Sequence, residues 1–155
     1  MTARILGVAV VPFLLFATGC INTHTYTVAV QNDTNRPLTV GLAKEGLPVE
    51  DDWMAPEELA RNPSPYGGRQ WGVAIPPGHS GDIGPVKMEV GPGGSQAWLR
   101  VYRGDLPTSE LLAVSRGSPS RLDLPLPPGE NDFVIFDRNG RLAARRNGKD
   151  VNLND

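Results

Sequence analysis

The chain has 155 residues, with 15 Lys and Arg against 17 Asp and Glu, a formal net charge of −2. Gly 18 and Pro 15 stand well above the usual share of about 12 % for the two together, which leaves little room for a helical bundle. Hydrophobic residues at 39 % with three Trp suffice for a packed core. The charge balance excludes a nucleic-acid binder relying on clustered Lys and Arg, and one cysteine excludes a disulfide framework or a multi-thiolate metal site.

The first residues read as an address. Met1-Thr2-Ala3-Arg4 carries one positive charge, and the apolar run Ile5–Ala17 follows, interrupted by Gly7 and Pro12. A bilayer-spanning helix needs about 20 apolar residues, so the run is short for a permanent anchor and fits a secretory signal. It ends on small residues and the lone cysteine, Ala17-Thr18-Gly19-Cys20. This string resembles the lipobox of bacterial lipoproteins, with Ala17 where that family usually has Leu. The resemblance implies a signal peptide over 1–19, cleavage before Cys20, and a diacylglyceryl thioether on the Cys20 sulfur. Acyl chains such as palmitate would then hold the mature chain on a membrane. By the family's sorting habit, Ile21 rather than Asp after the cysteine implies the outer membrane if the cell has one, on its periplasmic side or surface. Residues 20–24 are expected to form a short lipidated tether, and 25–155 a single domain.

Period-two alternation dominates from there. Tyr26, Val28 and Val30 share one face, and Leu38, Val40 and Leu42 repeat the spacing after Asn32-Asp33-Thr34-Asn35-Arg36. The two runs predict a hairpin. The stretch from Val30 to Val40 is similar to the first hairpin of many immunoglobulin-like envelope domains. Lys44–Gly68 breaks the pattern. Pro56-Glu57-Glu58 places Pro and acids where a helix's first turn favours them, so one short helical turn is expected inside a long excursion. Trp53, Tyr66 and Trp71 in and beside it are the candidate partner-binding residues. The alternative is that these aromatics fold back as a lid over the sandwich.

Further runs are Trp71–Ile75, Val86–Val90, Ala97–Tyr102, Leu112 with Val114, and Leu122–Leu126. Ala97, Leu99 and Val101 alternate with Trp98, Arg100 and Tyr102, so both faces of that strand carry bulk. Phe133–Phe136 is continuously apolar, as in a strand covered on both sides. Asn139-Gly140 and Asn147-Gly148 predict tight turns and two small hairpin strands at the tail. The expected fold is an all-β, immunoglobulin-like sandwich of about eight to ten short antiparallel strands.

Catalytic motifs are sparse. Gly78-His79-Ser80-Gly81-Asp82 lacks the second Gly of a nucleophile elbow, and His79 adjoins Ser80, where neighbours on an extended segment point apart. Asp137-Arg138-Asn139-Gly140 opens like a calcium loop but lacks the later acidic ligand. No catalytic residue, metal ligand or cofactor is assigned. Asp82, Glu89, Asp105, Glu110 and Asp123 sit near strand ends, and a small hydrolase using carboxylates with His79 is the competing expectation. An accessory subunit of an envelope complex is a third. The leading expectation is a lipid-anchored, non-enzymatic envelope sandwich that is structural or binds a protein or glycan partner.

Overall fold

The structure is a computed structural model, and it describes residues 22–48, 50–61, 70–91 and 93–151. Residues 1–19, read above as a signal peptide, and Cys20 lie outside the described residues, as does Tyr66.

Among the described residues, nine strands form a sandwich of two sheets. In chain order they are β1 (Asn22–Asn32), β2 (Leu38–Glu45), β3 (Val73–Ile75), β4 (Ser80–Val90), β5 (Gln96–Arg103), β6 (Arg121–Leu126), β7 (Gly129–Arg138), β8 (Arg141–Arg146) and β9 (Lys149–Asp150). One sheet has the order β4-β1-β7-β8-β9 and the other β3-β2-β5-β6. All pairs are antiparallel except β1 with β7, which run parallel. That pair corrects the expectation of a wholly antiparallel fold. The first strand begins at Asn22, so residues 22–24 belong to β1 rather than to a free tether.

The alternation does what its period requires. Tyr26, Val28 and Val30 are buried from one sheet, and Leu38, Val40, Leu99, Val101, Leu122 and Leu124 meet them from the other. Each such side chain contributes roughly 1.5–3 kcal/mol relative to its exposed state.

β1 and β2 do not form the predicted hairpin: they lie in different sheets. The turn between them is organised by the Asn32 side chain, which is fully buried. Its amide donates to the Arg36 carbonyl at 2.8 Å and the Ile75 carbonyl at 2.9 Å. Its Oδ1 accepts from the Thr34 N–H at 2.9 Å and the Thr34 hydroxyl at 2.8 Å. The turn therefore bends out of β1's plane and delivers β2 between β3 and β5.

Leu112 and Val114 do not form a strand. They follow the short helix α2 (Thr108–Leu111), and Leu112 is 43 % exposed while Leu111 is buried. The residues that precede β3 include a 3-10 turn at Asp51–Trp53 and the helix α1 (Pro56–Arg61). Phe133–Phe136 is buried only at Phe133 and Ile135. On its outer side the guanidiniums of Arg138 and Arg145 lie over the Phe136 ring at 5.2 and 4.7 Å, and among the described residues no further sheet or helix covers it. The tail turns form as expected, with Asn139 and Asn147 at φ 53° and 50°, each followed by a left-handed Gly.

Candidate functional site

The excursion after β2 closes one side of the sandwich, and side chains do the closing. Among the described residues β4 is the edge strand there, with no neighbouring strand on its outer side. Trp53 Nε1 donates to the Lys87 carbonyl at 2.7 Å. Lys44 Nζ donates to the Glu89 carbonyl at 2.6 Å and is ion-paired with Glu50. The Glu50 carboxylate in turn accepts from the Glu89 N–H at 3.1 Å. The edge of β4 is thus capped at Lys87 and Glu89 without another strand.

This assigns the aromatic candidates. Trp53 is 1 % exposed and packs edge-on against Tyr26, ring centroids 5.0 Å apart. Its ring belongs to the core. Trp71 is also buried. It lies on the outer face of the β3-β2-β5-β6 sheet, donating from Nε1 to the Met54 carbonyl at 2.9 Å and meeting Tyr102 edge-on at 5.6 Å. With Tyr102 and Leu111 it forms a second small apolar cluster, against which Leu59, Leu106 and Val114 pack.

An edge of Trp71 does reach a cavity. A groove of about 280 Å³ runs along the side of the sandwich, bounded by Trp71, Met54, Val73 and Val86, with Asp51 and Asp52 on its rim. It is slightly smaller than the usual range for small-molecule sites, about 300–1,000 Å³. Two exposed carboxylates, one sulfur and apolar walls suit hydrogen bonding and contact with an extended partner. A second cavity, of about 360 Å³, opens at the end of the sandwich where β1 starts, between the inner faces of the two sheets.

The outer face of β5 carries a charged network that sequence reasoning passed over. Glu57, in the first turn of α1, lies 2.8 Å from Arg100 and 3.6 Å from Arg121. Arg121 grips Asp123 with two hydrogen bonds of 3.0 Å each. Arg116 approaches Asp123 at 3.4 Å and lies over the Trp98 ring at 5.3 Å. Burial pushes the Glu57 carboxyl upward, but the backbone hydrogen bond and the charges of Arg100 and Arg121 outweigh it and hold it below the ordinary carboxylate value. Burial raises the Tyr102 phenol, against the opposing pull of Arg121 and Arg100. The signal in the sequence is Arg121 and Asp123, two apart and so on one face of β6; the register that sets Arg100 opposite Asp123 and Tyr102 opposite Arg121 comes from the fold.

The remaining candidates are dispersed. His79 is exposed on a turn, its Nδ1 2.9 Å from the carbonyl of Pro77. Asp123 is held by Arg121 and Arg116. Asp137, the first residue of the calcium-like string, is ion-paired with Arg103, and the string itself is the β7–β8 turn. Among the described residues no group of three or more His, Cys, Asp or Glu is arranged to hold a metal ion. His79 lines neither of these cavities.

Comparison with protein-family models, with curated proteins and with solved structures finds no match to this chain.

Proposed function

We propose that this chain is a lipid-anchored β-sandwich of the bacterial cell envelope that acts by structure or binding, holding a protein or glycan partner, rather than by catalysis. The observation that carries the reading is the junction of address and fold: β1 begins at Asn22, two positions after Cys20. A lipid on Cys20 would hold the sandwich directly against the bilayer, with one end facing it and the side groove presented laterally. The groove, with Asp51 and Asp52 beside the Trp71 edge, is the surface offered to a partner. A hydrolase would need two acids and His79 in one concavity, and His79 stands on an exposed turn outside both cavities.

Metabolic labelling with palmitate, with and without globomycin, tests the anchor on the native chain and Cys20→Ser. The expected result is label and membrane retention that depend on Cys20, with the precursor accumulating under globomycin. A native chain that stays unlabelled and soluble overturns the reading.

A further inference from the structure

The cavity of about 360 Å³ at the β1 end of the sandwich is a polar mouth over a closed floor. Tyr26, Ala97 and Leu126 below it are at most 2 % exposed and belong to the main core, so the groups left to meet a ligand are those of the rim. Two of them are basic. His24 shares the inner face of β1 with Tyr26, and Arg146 shares the inner face of β8 with Leu142 and Ala144, each half-buried. Gln96 adds an amide nitrogen that donates one N–H to the Ala97 carbonyl at 2.9 Å and keeps a second. Among the described residues no carboxylate lines the cavity.

Arg146 differs from its neighbours in what it faces. Arg138 and Arg145, on the outer face of the same sheet, share Asp150, whereas Arg146 has no acidic partner among the described residues. Opposite it across the Asn147-Gly148 turn stands Lys149, exposed and likewise without an ion pair there. Opposed residues of an antiparallel pair project to the same side, so two like charges face each other beside the cavity, an arrangement that is destabilising unless an anion lies between them. We infer that this end of the sandwich binds a phosphate monoester, the Arg146 fork taking two of its oxygens, with Lys149 and a ring nitrogen of His24 on the others. A guanidinium fork matches two phosphate oxygens. A monoester carries about −1.5 to −2 charges at neutral pH, which the two cations balance. Soluble esters and lipid headgroups both present this group. The site is separate from the side groove and requires no lipid on Cys20.

The test titrates the full chain in neutral detergent by isothermal calorimetry with glycerol 3-phosphate and, in parallel, with dihexanoyl phosphatidic acid. Dihexanoyl phosphatidylcholine, whose phosphate is a choline diester, is the blank. The expected result is saturable binding of a monoester that weakens about tenfold in Arg146→Gln, the loss of a charge-assisted pair, and weakens also in Lys149→Gln. Arg145→Gln, one position away on the opposite face, is expected to bind as the native chain does. Binding of glycerol 3-phosphate marks a soluble ester as the ligand, and binding confined to phosphatidic acid marks a headgroup. No saturable binding of either monoester overturns the site. So does binding that is equal in Arg146→Gln and Arg145→Gln, or equal for phosphatidylcholine.

Discussion

The indole of Trp71 lies directly on Gly41. A methyl group added at position 41 would sit 2.7 Å from Cζ2 and 2.8 Å from Cη2 of that ring. The ring has little freedom to yield, held by its bond to the Met54 carbonyl and by Tyr102. Gly41→Ala is therefore expected to lower stability by about 1–3 kcal/mol, the range for overpacking. In a Trp71→Leu background the same change is expected to cost much less, and a double-mutant cycle by urea denaturation measures the coupling. Additive effects would show that the contact does not govern stability.

Asn32 uses both its donors and its acceptor in the turn that carries the chain from one sheet to the other. Asn32→Asp keeps the shape but turns an acceptor toward the carbonyls of Arg36 and Ile75. The expected loss near neutral pH is about 2–4 kcal/mol, because the Ile75 carbonyl loses the Asn32 donor and the Arg36 carbonyl is left to the Thr34 hydroxyl, both beside a buried charge. The deficit should shrink in acid, where the neutral carboxyl regains one donor. Denaturation midpoints across pH give the check, and a loss no larger than that of an exposed Asn→Asp change would refute the role.

Trp53 combines a ring in the core with a hydrogen bond that caps an edge strand. Trp53→Phe retains the contact with Tyr26 and is expected to cost about 1 kcal/mol for the bond to Lys87 plus a smaller packing term. Trp53→Ala is expected to cost about 3–5 kcal/mol. Equal losses in the two variants by chemical denaturation would mean that the cap, not the ring, holds the excursion down.

Glu57 provides a pH dependence with a definite sign. Its carboxyl is held below the ordinary value in the folded chain, so its contribution is present above the unfolded pKa and is lost as pH falls through the folded one. The side chain is 39 % exposed, and screening keeps the effect within about 1 kcal/mol. Native protein should exceed Glu57→Gln in thermal midpoint at neutral pH and converge with it in acid. High salt should narrow the gap.

Much of the fold was legible before any coordinates. The inward faces of β1, β2, β5 and β6 follow from period two, since a residue and its second neighbour share one side of a pleated strand. The Asn-Gly turns followed from the ease with which those residues take positive φ. The failures have local causes. Leu112 and Val114 alternate for too few residues to distinguish a strand from the end of a helix. Phe136 looked like an interior residue because one strand cannot show that arginines, including one from the next strand, will cover it.

By itself the sequence determined that this is an all-β chain, because alternation and turn residues are local properties. Only the tertiary structure decided which strands are neighbours. The polar run after β1 looks the same whether it closes a hairpin or crosses to the other sheet, and the difference lies in a hydrogen bond from Asn32 to Ile75, 43 positions away. The fate of the tryptophans was settled in the same way. Burial of Trp53 depends on an acceptor at Lys87 and a ring at Tyr26, and burial of Trp71 on the absence of a side chain at Gly41. Contacts between residues so distant along the chain leave no periodic trace in it.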